Sequence, residues 1–324
     1  MSNKIEKVVV VTVTFNDIDF LLREIRFLKK QTYKIYRIVI VDNNSNEQCK
    51  EKLRNIKNDD NIDIIWLDNN IGGAGGFQKG MEYAYKKYNS DWYWLMDADA
   101  YPQEDCLEKL LEYKDLTNNI GYLAPLIMGD DLKKYQLYHH KRLSAFLEKD
   151  LYIYNESDEI QDTTPIEADA FVGPLISRKA VAELGFPKGE LFIYGDDLEY
   201  TYRISRKFNS YLIKSAVINH RDQPSNAGVQ KPVNWWKDYY MYRNRMFFIK
   251  EFQNNKLKKY IGYILVRLRC TKQVLLAYRL KYNKKLINFR IATIRRAYKD
   301  GLNNKSGKII DPIAYKNKVN ELIK

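Results

Sequence analysis

The stretch Trp92-Tyr93-Trp94-Leu95-Met96-Asp97-Ala98-Asp99 runs five bulky apolar or aromatic residues straight into two carboxylates spaced i, i+2. A short, β-prone run of this kind reads as a buried strand of a parallel sheet. Open α/β sheets place their ligands beyond the C-terminal ends of such strands, which is where Asp97 and Asp99 fall. Two carboxylates there can hold a divalent cation through oxygen. Successive strand side chains face opposite ways, so both acids reach one ion only if the chain turns as it leaves the strand. Ala100-Tyr101-Pro102 is the expected place for that turn. A second reading stays open at this point, in which the acids cap a helix beginning near Glu104.

Upstream, Val8 to Val13 is a β-branched run read as the first strand, followed by the polar turn Thr14-Phe15-Asn16-Asp17. Asp19 opens a helix to about Gln31 that carries Leu21, Leu22, Ile25 and Leu28 on its apolar side. Arg37 to Val41 is the second strand, ending in Asp42-Asn43-Asn44-Ser45, and Ile62 to Leu67 is the third. This alternation predicts a parallel sheet with helices on both faces. Next comes Asp68-Asn69-Asn70-Ile71-Gly72-Gly73-Ala74-Gly75-Gly76-Phe77, read as a loop before a helix over Phe77 to Lys87. Its glycines free backbone amides for close approach to a ligand, and the helix N-terminus favours an anion. The spacing matches neither a Walker loop nor the dinucleotide fingerprint, and a flexible loop without a ligand is the alternative.

Downstream, Glu104 to Tyr113 reads as a helix and Ile120 to Leu126 as a strand. Residues 129–163 are polar and Tyr-rich and read as an acceptor-side insertion; the adjacent His139-His140 reads as surface, with no chemistry assigned. Ala168 to Pro174 looks like a strand ending at a tight turn, and Ser177 caps a helix stopped by Gly185. In Leu191-Phe192-Ile193-Tyr194-Gly195-Asp196-Asp197-Leu198-Glu199 an aromatic run and a glycine lead into an acidic cluster that opens a helix. The macrodipole favours acids in a first helical turn; the functional reading is a general base facing a metal site. His220 follows the strand Tyr211 to Ile218 and is a third metal ligand candidate, since imidazole binds Mn²⁺-like ions. Trp235-Trp236 and Tyr239 to Arg245 predict an aromatic helix packed on the sheet, offering an arginine to phosphate.

With 324 residues, 45% hydrophobic and 29% charged, the chain has ample material for a globular core, which excludes a disordered protein. Cys49, Cys106 and Cys270 are too scattered for a disulfide framework or a zinc site, which fits a reducing cytosolic setting. Met1 to Lys7 is polar and does not read as a signal peptide. No run reaches the length of a membrane span. Charge is unevenly spread: residues 253–324 hold 19 Lys+Arg against 3 Asp+Glu, and the remainder 35 against 38. The basic tail carries Ile261, Ile264, Leu265, Leu268 and Leu275 at helical spacing, so residues 251–324 read as an amphipathic helical appendage to a catalytic domain over residues 1–250. Such an appendage suits an anionic membrane surface, with a helix packed on the domain and a solvated basic face as the alternative.

Taken together, Thr14-Phe15-Asn16, Asp42-Asn43-Asn44-Ser45, the DxD of Asp97 and Asp99 and the acidic pair resemble family 2 inverting glycosyltransferases of the GT-A fold. Asn70 to Phe77, Phe192 to Asp197, His220 and Tyr242-Arg243-Asn244-Arg245 are similar to the galactofuranosyltransferase branch and its rhamnosyltransferase relatives. The resemblance covers roughly residues 8–250. It implies a Rossmann-like nucleotide-diphospho-sugar transferase with a mostly parallel sheet. On that basis Thr14, Asn16, Asp42, Asn70, Gly73 and Asp97 line the donor pocket. Asp97, Asp99 and His220 hold Mn²⁺ or Mg²⁺. Asp197 is the catalytic base, and Asp196, Phe171 and Gly173 lie beside the acceptor. The implied reaction moves galactofuranose from UDP-galactofuranose to a lipid-linked or polysaccharide glycan of the cell envelope, by a peripheral enzyme at the cytoplasmic membrane face. Ala98 departs from an acidic triplet known in the branch, and no Gln-x-x-Arg-Trp box is evident, so the donor and processivity stay open. The rivals are a dTDP-rhamnose-dependent rhamnosyltransferase, a nucleotidyltransferase, and a non-catalytic nucleic-acid-binding protein built around the basic tail. The net acidic body and the lack of an RNA- or DNA-binding motif count against the last, and no nucleic-acid partner is expected.

Overall fold

The computed structural model describes residues 5–56, 59–129, 134–147, 150–152, 160–221 and 231–323. The chain begins β1 (Val8–Thr14), α1 (Ile18–Leu28), β2 (Arg37–Asp42), α2 (Glu47–Ile56), β3 (Ile62–Trp66) and α3 (Gly72–Lys87). It continues β4 (Trp92–Asp97), β5 (Ala100–Pro102), α4 (Cys106–Glu112), β6 (Ile120–Met128), β7 (Lys141–Leu143), β8 (Asp150–Tyr152) and β9 (Thr163–Pro165). Then come β10 (Val172–Ser177), α5 (Arg178–Leu184), α6 (Asp196–Ser205) and β11 (Asn209–His220). Four helices close it: α7 (Trp236–Phe252), α8 (Lys256–Arg279), α9 (Lys284–Leu302) and α10 (Pro312–Ile323).

Among the described residues, one compact unit comprises residues 1–142, 152–189 and 197–222 and contains the main sheet, ordered β3-β2-β1-β4-β10-β6-β11-β5 with β9 beside β11. β3, β2, β1 and β4 run parallel, as their β-branched and aromatic runs predict. β10 is antiparallel to both β4 and β6, and β5 and β9 are antiparallel to β11, so the sheet is mixed and less parallel than expected. The alternation of strand side chains sorts the core. Val8, Val10, Trp92, Trp94 and Met96 pack under Leu21, Ile25 and Leu28 of α1 and Leu107 and Leu110 of α4. Val9, Val11, Tyr93 and Leu95 pack under Phe77 and Met81 of α3, Val181 of α5 and Ile204 of α6. Helices therefore cover both faces.

The glycine run is not a loop. It forms the first turns of α3. A Cβ on Gly76 would lie 2.5 Å from Val13 Cγ1, so this glycine lets α3 lie directly on β1. Gly73 instead faces open space.

The second unit comprises residues 143–151, 190–196 and 223–324. It takes in α7 as well as α8, α9 and α10. The reason is polar and aromatic packing along α7: Tyr239 donates to Asp300 Oδ2 (2.7 Å), and Arg290 Nη2 meets Asp238 Oδ2 (2.8 Å) while its guanidinium stacks on Trp235. Arg243 is wholly buried, so α7 offers no arginine to phosphate there. On α8 the inward positions are Gly262, Val266, Cys270 and Ala277. Leu257, Tyr260, Ile264, Leu268, Leu275 and Tyr278 are exposed. No described helix is long and apolar enough to cross a membrane.

Candidate active site

β4 ends at Asp97, and the chain turns at once through Ala98 and Asp99. The expected turn at Ala100 to Pro102 is instead β5, a three-residue strand antiparallel to β11. Its register pairs Ala100 with His220, which carries His220 to the side of Asp99. His220 Nε2 lies 3.3 Å from Asp99 Oδ1, and one ligand atom from each of Asp97, Asp99 and His220 falls within 4.8 Å of the others. Two carboxylate oxygens and one imidazole nitrogen form a mixed donor set that fits a Mn²⁺-like ion. All three residues are at least half-buried, which lowers the local dielectric.

The C-terminal ends of β1, β2 and β3 meet beside this triad. Thr14 is buried at the end of β1, with no hydrogen-bond partner for its hydroxyl. Asn16 adopts φ 61°; its amide donates to Ser45 Oγ (2.9 Å) and its Oδ1 accepts from Asn46 N (2.8 Å). Asp42 is fully buried and accepts from Ser45 N at 3.3 Å. Asn43 Oδ1 accepts from Ile71 N, and Asn70 Oδ1 accepts from Gly72 N, both at 2.9 Å. These Asx bonds tie three loops together and fix the entry into α3, where Gly73 lies in the first turn. A cavity of about 210 Å³ opens between Thr14, Phe15, Asp17, Asp97, Asp99 and Arg221.

The acidic pair opens α6 as expected. The segment before it is strained: Phe192, Tyr194 and Gly195 all have positive φ (68°, 63° and 87°). Asn244 Nδ2 donates to the carbonyls of Leu191, Ile193 and Tyr194 (3.0, 3.0 and 2.7 Å), and Arg243 Nη2 donates to Leu191 O (2.8 Å). This is what Arg243-Asn244 does: it clamps the turn that leads into Asp196 and Asp197. Asp197 Oδ1 accepts from Leu198 N (2.7 Å), and its carbonyl accepts from Thr201 Oγ1 (2.7 Å). Phe171 and Gly173 are interior. Phe171 packs against Phe77 and Tyr200, and a Cβ on Gly173 (φ 94°) would lie 2.2 Å from Ile218 Cδ1. Gly173 sits where the β10–β4 register shifts, so it allows a bulge next to Asp97, whose amide donates to Phe171 O (2.8 Å).

Residues 9–185 match the sequence profile of the family described as Glycosyl transferase family 2. The chain belongs to that family. Over 263 residues it is 26% identical to galactofuranosyltransferase GlfT1 of Mycolicibacterium smegmatis, covering 76% of this chain and 84% of the relative. The structure of S. aureus TarS 1-349 in complex with UDP matches with a TM-score of 0.57 at 14% identity, over 97% of this chain and 90% of that one. A mannosyltransferase from Pyrobaculum calidifontis, in complex with GDP-Man and Mn²⁺, matches with a TM-score of 0.56 at 12% identity, over 94% and 89%. The fold is thus that of GT-A glycosyltransferases, and the protein is a glycosyltransferase.

Three features of this family 2 site were not read from the sequence. Glu24 of α1 is fully buried beneath it and accepts from Thr12 Oγ1 (3.0 Å). Burial, then the charges of Asp97 and Asp99, push its pKa well above the usual carboxylate range despite that bond. Its signal was present: an acid inside the i, i+3, i+4, i+7 stripe of Leu21, Glu24, Ile25 and Leu28. Arg221 lines the cavity, stacks on Phe20 and has no motif to announce it. The histidine pair is not surface. His140 is buried with Nδ1 3.0 Å from Asp169 Oδ1, and His139 packs edge-on against His220. Burial raises Asp99, but the hydrogen bond and charge of His220, with Arg221, outweigh it and leave its pKa below the ordinary value. Asp17 is raised, by burial first and then by Asp99.

Proposed function

We propose that this family 2 glycosyltransferase is metal-dependent and inverting, and moves galactofuranose from UDP-galactofuranose onto a lipid-linked or polysaccharide glycan of the cell envelope. The observation that carries this reading is the convergence of Asp97, Asp99 and His220 on one point beside the Thr14–Asp42–Asn70 strand ends. The similarity to GlfT1 supports the donor.

Thr14, Asn16, Asp42 and Asn70 bind the nucleotide, with Gly73 and the α3 N-terminus on the diphosphate side. Mn²⁺ or Mg²⁺ on Asp97, Asp99 and His220 supplies Lewis-acid stabilisation of the diphosphate leaving group. Asp197 accepts the proton of the acceptor hydroxyl as that oxygen attacks the anomeric carbon, and Asp196 holds the acceptor sugar. Attack from the face opposite the leaving group inverts the centre, so no covalent enzyme intermediate is required. The exposed stripe of α8, from Leu257 to Tyr278, is bordered by Lys258, Arg267, Lys272 and Arg279 and fits an anionic membrane surface at the cytoplasmic face, where a lipid-linked acceptor would lie. A cavity of about 540 Å³ between α8 and α9, lined by Val274, Ile294 and Leu302 with Arg267, Arg295 and Lys299, adds an apolar slot rimmed with cations.

The deciding experiment offers the purified protein with Mn²⁺ four donors in parallel: UDP-galactofuranose, UDP-galactopyranose, UDP-glucose and dTDP-rhamnose. Selective turnover of the furanose supports the proposal. Selective turnover of dTDP-rhamnose moves the protein to the rhamnosyl branch, and indifference to all four overturns the donor assignment. Flotation of the full chain with anionic but not neutral liposomes is the expected result for α8.

A further inference from the structure

Gln136 lies in the stretch between β6 and β7, inside the segment read as an acceptor-side insertion. It is buried at 3% exposure, and its amide N–H donates to Ile127 O of β6 (2.9 Å), so its backbone is anchored to the sheet. Its side chain reaches His220 twice. Nε2 lies 3.1 Å from His220 O and 3.4 Å from Arg221 O, while Oε1 lies 2.9 Å from His220 Nδ1. Tyr138 Oη and His139 Nε2 also face Oε1, each at 3.1 Å.

Donor and acceptor logic fixes the rest. Backbone carbonyls only accept, so the atom facing His220 O and Arg221 O is the amide nitrogen, and the orientation of the Gln136 amide follows from chemistry. The oxygen then faces His220 Nδ1. An amide oxygen cannot donate, so Nδ1 carries the hydrogen. In the neutral ring that metal ligation requires there is one N–H, which leaves the lone pair on Nε2, the atom 3.3 Å from Asp99 Oδ1; without a cation, the second proton of a charged ring fills that gap. Two acceptors at that separation repel unless a proton or a cation lies between them. Cis ligands of a first-row metal, each at about 2.1 Å, stand roughly 3 Å apart.

We infer that Gln136 is a positioning residue that holds His220 in its Nδ1–H tautomer, with Nε2 presented as a ligand beside Asp97 and Asp99. The inference rests on the metal reading proposed above. A metal-ligating histidine whose other nitrogen donates to an oxygen is a recurrent arrangement, and loss of such a partner typically costs about 10–100-fold in metal affinity. Here a side-chain amide takes the place of the more usual carboxylate or backbone carbonyl. The same amide also clamps the main chain at His220 and Arg221, so one residue sets both the ring and its attachment point.

The test reads the tautomer directly. The chain has three histidines, so ¹⁵N imidazole NMR of the metal-free protein at pH 8.5 gives three ring systems, with His220 assigned by its absence in His220→Ala. Nδ1–H in the parent is expected, against the Nε2–H preference of a free histidine side chain. Gln136→Met should shift His220 toward Nε2–H and weaken Mn²⁺ binding, followed by EPR of the free ion, by about 10–100-fold. Gln136→Glu keeps an oxygen opposite Nδ1 and should restore the tautomer. An Nε2–H ring in the parent overturns the inference without any variant, and so does Gln136→Met with unchanged tautomer and Mn²⁺ affinity. If the parent shows the Nδ1–H ring but binds no Mn²⁺, the metal reading fails while the positioning of the ring stands.

Discussion

Two buried acids show how differently the two units treat charge. In the sheet unit, Glu24 faces the Thr12 hydroxyl and the carboxylates Asp97 and Asp99, with no cation opposite it among the described residues. In the helical unit, Asp238 is also buried but faces Arg290 at 2.8 Å, and Arg290 also stacks on Trp235. Burial raises both pKa values, well above normal for Glu24 and to about 6 for Asp238, where the arginine limits the rise. The helical unit therefore pairs this buried acid with its own cation. The sheet unit gathers Asp17, Glu24, Asp97 and Asp99 around one point, with Arg221 and His220 against them among the described residues. That is the electrostatic pattern of a site completed by an external cation.

If the acid-rich unit is catalytic, Asp197→Asn should give the largest effect. Removing a positioned general base costs about 10²–10⁴-fold in kcat, while donor binding by calorimetry stays near the parent value. Normal turnover by this variant would end the assignment of the base. Next in size is Asp238→Ala in the helical unit. It strands Arg290 in a buried site, and breaking such a pair costs about 3–5 kcal/mol, readable as a lower midpoint in urea. A loss no larger than that of a surface substitution would mean that the pair is not buried in solution.

The dependence on cation sharpens the contrast. Saturating Mn²⁺ at about 100 times its Kd should stabilise the parent by about 2.7 kcal/mol, seen as a rise in Tm. Asp99→Ala and His220→Ala should lose that rise, and a rise that persists in both would place the ion elsewhere.

Asp238 also predicts a pH effect with a definite sign. Its folded pKa lies above the unfolded value, so the folded chain holds a proton that the unfolded chain has released between pH 3.8 and about 6. Its contribution to stability is full below that window and lost as pH rises through it, a change on the order of 2–3 kcal/mol. Comparing urea midpoints of the parent and Asp238→Asn across pH 4–7 isolates it, because the asparagine variant should lack this component. The smallest effect belongs to Glu24→Gln. If its raised pKa keeps it neutral, it loses little as an amide, so stability should move by less than about 1 kcal/mol. A large loss would show that Glu24 is ionised.

The parts legible in the sequence are those encoded by local pattern. β1 and β4 announce themselves through β-branched and aromatic runs, Ser177 and Gly185 bracket α5, and the DxD falls at a strand end where sheet ligands gather. What stayed hidden depends on partners far along the chain. β5 is three residues long and exists because β11 pairs with it. The glycine run has loop composition, yet it forms helix, with Gly76 set against Val13 of β1. Gln136 carries no motif, and its role is visible only when His220 is brought to it. Arg243 and Asn244 belong to the Tyr242–Arg245 run that carries the resemblance, but their work is inward, on the carbonyls before Asp196. Asp97, Asp99 and His220 were named from sequence and are brought together by the fold, whereas Phe171 and Gly173 are interior and shape the bulge beside Asp97.

The Ala100–His220 register has a consequence for the order of assembly. The third member of the triad arrives on the last strand of the sheet, roughly 120 residues after the DxD, so this contact is among the most non-local in the unit and is late to form. During synthesis the loops after β1, β2 and β3 can take shape long before β11 leaves the ribosome, but the triad cannot. A slip of one residue in β11 would turn His220 to the opposite face of the sheet. Ability to capture a cation would then report that the final strand has docked in register, and an immature or misfolded chain would be silent by the same criterion.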